Sequence, residues 1–308
     1  MRSPVINKII NHRCHPFVFG LYRIAYGSFL LIYFLLLSNR WIEFYGPHGT
    51  SPIKLRDSLN FFRPSLFSYI HTETGLWVFY AVTILMTVAL ICGRLKKLPA
   101  IFLWLTLISV ENSNSNNVNA EEFSLCVLAF YAMIMPINST LVLDLKRFKW
   151  SDATEPVRAW TLVPFFVHIE LIYIISLPLK PYFDKAWVDG TLIYLAVNTF
   201  DMSRVPGWQV FKIGNAFLSR AMTWASLLAE AVFPILVWFD RFKVSMVLMM
   251  IAFQVGIAVM LSGVQVFSLS MVVALILFLP SEKTHRFCSR LFECRSREGL
   301  TNAIREYL

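Results

Sequence analysis

Lys180 stands between Pro178 and Pro181 at the end of a long apolar run, and Asp184, Lys185, Trp187, Asp189 and Gly190 follow it closely. A lysine at the edge of an apolar medium gives up its proton more readily than one in water and can then serve as a base. The plainer reading of the same pattern is an interfacial lysine with its stem in the apolar layer and its head in water. Two prolines so close together predict a fixed, non-helical turn around Lys180. A second polar stretch, "ENSNSNNVNAEE" at 111–122, carries Asn112, Asn114, Asn119 and Glu122. Its amides are neutral donors suited to a developing oxyanion. Tyr45, Gly46 and His48 form a third such stretch after the first apolar run.

A separate set of polar residues lies inside apolar runs: Arg23, His168, Glu170, Glu230 and Gln254. An unpaired charge in such surroundings costs several kcal/mol, so pairing is expected. Counted along their helices at about 1.5 Å per residue, Arg23, His168, Glu170 and Glu230 share one layer, with Gln254 a little deeper. This predicts a polar cluster in which Glu230 pairs with Arg23 or His168. It is either a structural knot, or a proton relay or substrate site.

The elements that hold these residues are helices in lipid. Of the 308 residues 57% are apolar and only 15% charged, against about 25% charge in a soluble domain. Mean hydropathy is +0.59. Runs such as "VSMVLMMIAFQVGIAVMLSGV" reach the roughly 20 residues that a bilayer crossing needs, and backbone amides in lipid must be satisfied within the segment. The strict alternation of a barrel is absent. Eight apolar segments stand out, near 17–38, 75–92, 98–110, 122–137, 160–179, 217–238, 243–262 and 264–280. The stretch 190–200 is apolar but short, as a re-entrant or interfacial half-helix would be. The fold class is therefore an all-α polytopic membrane bundle. A basic N-terminus covers 1–16, the membrane domain 17–280, and a basic amphipathic tail 281–308.

Lys and Arg set the orientation. "GRLKK" at 93–97, "LKRFKW" at 145–150, "DRFK" at 240–243 and the tail fall on one side, while 111–121 has neither residue. Both termini are expected in the cytoplasm. The net charge of +9 then serves orientation and anionic lipid rather than nucleic acid. The first apolar run lacks a small-residue cleavage site and reads as a retained anchor. "LVLDLKRFKW" and the tail mix apolar and cationic positions at helical spacing and read as helices lying on the membrane surface. The five cysteines suggest neither disulfide nor metal spacing.

Several blocks resemble the HTTM superfamily, the membrane domain shared with vitamin K-dependent γ-carboxylase. They are "LYRIAYGSFLLIY" with "FYGPHGTSP", then "SVENSNSNNVNAEEF", "LIYIISLPLKPYFDKAWVDGTLIY", "MTWASLLAEAVFPILVW" and "FQVGIAVMLSGVQVFSLSMVVALILFLP", in family order over residues 17–280. Tyr173, Lys180, Trp187, Asp189 and Gly190 match the third block, and Glu230, Phe233 and Pro234 the fourth. The family's late His is Gln254 here, and the Lys-to-Trp spacing is about one residue longer than usual, which makes Lys185 the rival of Lys180. The large lumenal domain of the carboxylase is missing.

The resemblance implies a membrane-embedded site opening to the outer side, with Lys180 as base and Asn112, Asn114, Asn119, Glu122, Tyr45, Trp187 and Asp189 lining the substrate. A reduced quinone is the cofactor it implies. A base of this kind should be buried, without a close carboxylate. The chain is then a carboxylase-like membrane enzyme acting on a quinone, lipid-like or peptidic substrate. The competing reading is a non-catalytic membrane component of a peptide-maturation system, and a transporter comes third. The bacterial inner membrane is the expected location.

Overall fold

A computed structural model describes residues 13–49, 64–113, 120–144, 149–151, 155–198 and 216–293. Most of them are helical. In chain order the helices are α1 (Phe17–Leu37), α2 (Trp41–Tyr45), α3 (Glu73–Cys92), α4 (Leu98–Ser113), α5 (Ala120–Ile134), α6 (Leu162–Phe183), α7 (Ala186–Asp189), α8 (Leu192–Asn198), α9 (Ala216–Leu236), α10 (Asp240–Met260), α11 (Gln265–Leu275) and α12 (Ser281–Glu293). Each of the eight apolar segments contains one of these helices. Among the described residues four helical stretches are long and apolar enough to cross a membrane: Phe17–Tyr45, Glu73–Cys92, Leu162–Phe183 and Asp240–Met260. A fifth results if the bent pair at Gln265–Phe278 and Ser281–Arg290 is one span.

The chain forms two compact units, Met1–Thr161 and Leu162–Leu308. In the first, α1 is central. Its buried residues Phe19, Tyr22, Tyr26, Leu30 and Phe34 recur every three or four positions, as one face of a helix must. Lipid is as apolar as leucine, so packing and polar contacts hold such helices together, at about 0.6 kcal/mol for a typical interhelical hydrogen bond. Tyr22 and Tyr26 donate to the Leu128 and Leu125 carbonyls of α5 at 2.7 and 2.8 Å. Tyr80 of α3 donates to the Phe34 carbonyl at 3.1 Å. Gly27 lets α3 come close: a Cβ there would lie 2.6 Å from Ile91 Cγ1.

Two-stranded ribbons complete this unit. Arg13–Cys14 (β1) pairs antiparallel with Val157–Arg158 (β4). Leu143–Asp144 (β2) pairs with Lys149–Trp150 (β3). The second ribbon corrects the expectation of a surface helix in "LVLDLKRFKW". The ends of this segment bond to each other, with Leu141 N donating to Ser151 O and Ser151 N to Val142 O, both at 2.9 Å. A paired backbone of this kind satisfies its amides without a helix.

In the second unit α6 and α9 run antiparallel. Phe166 meets Trp238, Tyr173 meets Phe233, and Lys180 meets Glu230, so residue numbers rise on one helix as they fall on the other. The buried row of α9 is Ser219, Thr223, Ser226, Glu230 and Phe233, spaced by three and four. Its first half is polar for a local reason. Ser219 and Thr223 accept from the amides of Tyr194 and Ile193 at 3.0 and 3.3 Å, which caps the start of α8 from outside. Thus the short apolar stretch at 190–200 contains a seven-residue helix held against α9. Elsewhere long apolar side chains face outward, Leu228 and Ile235 among them.

Candidate functional site

Lys180 lies in the last turn of α6. Pro178 and Pro181 are both inside this helix, which continues to Phe183. The expectation of a non-helical turn is therefore corrected. A proline keeps a helical φ; it loses its own N–H bond and crowds the carbonyl four residues back, and here the last turns of the helix persist despite that. Helical geometry then continues into the connection, where Asp184 N donates to Lys180 O at 3.0 Å.

The Lys180 ammonium donates to the Glu230 carboxylate of α9. The Lys180 side chain is 22% exposed and that of Glu230 7%. The ammonium also sits over the Trp187 ring, 4.7 Å from its centroid. An acid, an amine and an indole face thus converge where α6 ends and α7 begins.

This arrangement corrects two expectations. Lys180 has a close carboxylate, and Glu230 pairs with it rather than with Arg23 or His168. Depth counted along the helices separates Lys180 from Glu230, but side chains on a helix lean toward its N-terminus. In antiparallel α6 and α9 these leanings oppose each other. Lys180 reaches back along α6 while Glu230 reaches back along α9, and the two heads meet. Asp184 accepts from the Ala186 amide at 2.8 Å and caps α7. Asp189 and the rival Lys185 are exposed.

Tyr173 lies seven residues before Lys180, on the same face of α6. It is buried, and its hydroxyl accepts from Gln254 Nε2 at 3.3 Å. Gln254 is buried as well, with Oε1 lacking a partner among the described residues. Glu230 is within electrostatic reach of Tyr173. The polar set of the second unit is thus Lys180, Glu230, Tyr173 and Gln254. Tyr173 was absent from the expected site, although its spacing from Lys180 was a usable signal. Glu170 lies within reach of Trp238, and His168 is half-buried farther back on α6.

Arg23 belongs to the first unit and is fully buried. It needs no carboxylate. Its Nη1 donates to the carbonyls of Ile137 and Thr140 and to Asn138 Oδ1, at 3.1, 3.4 and 3.2 Å. Its Nη2 donates to the Leu141 carbonyl at 2.5 Å. Asn138 Nδ2 in turn donates to Lys96 O at 2.5 Å. Gly93 ends α3 in a left-handed conformation at φ 72°, and a Cβ there would run into the guanidinium. Arg23 is therefore a clamp on the turns that follow α3 and α5.

The remaining predicted residues of the first unit divide. Tyr45 is 4% exposed and packs against Trp41 and Phe67, with ring centroids 4.8 and 4.7 Å away. Its ring is part of an aromatic core. Glu111 and Glu122 lie within electrostatic reach of its hydroxyl. Asn112 donates to the Pro64 carbonyl at 2.8 Å, and Glu122 Oε2 is buried without a hydrogen bond among the described residues. Asn114 and Asn119 lie outside the described residues. His48 lines an open cleft with Ile42, Glu43, Gly49 and Glu73.

No family model, no curated protein and no solved structure matches the chain.

Proposed function

We propose that this chain is a multi-pass membrane enzyme of the HTTM type whose reactive centre is the Lys180–Glu230 pair. The single observation that supports this is the contact itself: an amine and a carboxylate meeting at the end of a span, against Trp187. In a medium of low dielectric both ions are costly, so the charged pair and its neutral counterpart draw together in energy. Moving one proton from Nζ to the Glu230 carboxylate leaves a neutral amine beside a carboxylic acid. That amine can take a proton from an acidic hydroxyl placed against it, becoming an ammonium again and leaving an oxyanion. Glu230 thus acts as the proton store and Lys180 as the base.

The residues suit an aromatic diol of the quinol kind. Trp187 offers a stacking face, Lys180 a donor and Glu230 an acceptor, and the orphaned Gln254 Oε1 marks a further acceptor. A reduced quinone, when bound, would supply the reducing electrons. A lipid-like or peptidic hydroxyl is the other substrate class for the same base. In this reading the membrane domain has eight spans with both termini in the cytoplasm of a bacterial inner membrane. The short helices α4 and α5, and with them α11, are then completed by their neighbours or by a locally thin bilayer.

The second reading, a non-catalytic component of a peptide-maturation system, is favoured by how closed the pair is. An ion pair can simply fasten α6 to α9. The deciding experiment follows consumption of a reduced naphthoquinone by purified protein in nanodiscs. Lys180→Ala and Glu230→Gln should each remove at least nine-tenths of the rate, and Lys185→Ala should keep it. A wild-type rate equal to that of empty nanodiscs, or rates unchanged in all three variants, would leave the fastening role in its place.

A further inference from the structure

We infer that α12 is a surface anchor that lays its basic row on the headgroups of an anionic phospholipid leaflet. The helix begins at Ser281, immediately after Pro280, and its axis turns 99° from the preceding apolar helix. A helix at a right angle to a membrane-directed neighbour runs along the membrane plane. At about 100° per residue, Thr284, Phe287 and Cys288 occupy one arc of the helix. Thr284 is buried, and Phe287 and Cys288 are half-buried. Lys283, Arg286 and Arg290 form a second arc that adjoins the first, and all three are exposed. Glu282 falls nearly opposite the apolar arc.

This order is what an anionic surface selects. With Thr284 turned to the protein, the half-buried Phe287 sits at the acyl boundary, the cations lie at headgroup depth beside it, and the acid faces water. Each cation near such a surface contributes through attraction that a Debye length of salt screens. Within the helix Arg286 approaches Glu282 at 3.5 Å, but both are more than 70% exposed. An exposed pair of this kind does not hold the guanidinium away from a phosphate. The inference draws on the apolar helices as membrane-crossing elements and is independent of any chemistry at Lys180.

The test uses the full chain with its cysteines replaced by alanine and a spin label at Phe287→Cys or Glu282→Cys. It is reconstituted in nanodiscs of phosphatidylcholine alone or mixed with phosphatidylglycerol. In the anionic discs the label at 287 should be several-fold more accessible to oxygen than to a water-soluble nickel chelate, and the label at 282 the reverse. The combined Lys283→Gln, Arg286→Gln and Arg290→Gln variant should move the 287 label toward nickel in anionic discs only. Nickel accessibility at 287 in both lipids would overturn the proposal in favour of a solvated face. Shielding from both reagents in both lipids would overturn it in favour of protein packing. If the cysteine-free chain does not fold, thermal unfolding of the native chain decides. Phosphatidylglycerol should raise the wild-type Tm more than that of the triple variant, and equal shifts would refute the anchor.

Discussion

Lys180 of α6 and Glu230 of α9 form an ion pair although their backbones sit at different depths of an antiparallel helix pair. Removing one partner leaves the other charge with a poor environment. Glu230→Gln should lower stability in detergent by about 2–4 kcal/mol, since breaking a buried pair is costly while replacing it by apolar groups is often neutral. Lys180→Met with Glu230→Met should restore most of that loss. A double variant as unstable as the sum of its singles would mean that the two residues do not interact.

Arg23 makes its contacts through the planar fork of the guanidinium, with acceptors on the turn at 137–141. Lysine keeps the charge and loses the fork. Arg23→Lys should therefore destabilise by about 2–3 kcal/mol, in the range for hydrogen bonds to charged groups. An unchanged Tm in the purified variant would show that the carbonyl cage contributes nothing.

Gly27 sets the closest approach of α1 to α3. A side chain there must displace Ile91. Gly27→Leu should cost about 1–3 kcal/mol by overpacking, and Gly27→Ala less. Combining Gly27→Ala with Ile91→Val should recover part of the loss. Equal stability of all these variants would place the helices farther apart than described.

Orientation is tested by single-cysteine labelling. The charge bias of the short loops predicts that Ser115→Cys reacts with an impermeant thiol reagent from the outer side. Ser281→Cys should react only after permeabilisation. The reverse pattern would invert the topology and with it the side from which Lys180 is reached.

The helical class was legible because long apolar runs without strand alternation leave the backbone few choices. Every apolar run is helical, and Gly93 at the end of α3 stops its helix where a left-handed residue is needed. The site was legible in its members and less so in its pairings. Glu230 was expected beside Arg23 because both were taken as charges needing opposite charges. Carbonyl oxygens take up both Nη groups of Arg23 instead, and no sequence pattern announces that a turn will present them. Helix counting measures Cα depth, so it separated Lys180 from Glu230, whose side chains lean toward each other. Tyr45 was placed in a polar stretch after the first span, and what the sequence did not announce is that α2 prolongs the helical stretch and packs the ring against Trp41 and Phe67.

The central claim is that Lys180 is a reachable amine at a binding site, held by Glu230. Its most direct test is the labelling of Lys180 by an amine-directed reagent, read by peptide mass spectrometry on protein in nanodiscs, with and without a reduced naphthoquinone. Lys185 is exposed and serves as the internal control. The account predicts that Lys180 reacts, that Glu230→Gln changes its rate several-fold, and that the quinol slows Lys180 several-fold while leaving Lys185 unchanged. A Lys180 rate unaffected by both the quinol and Glu230→Gln would contradict it.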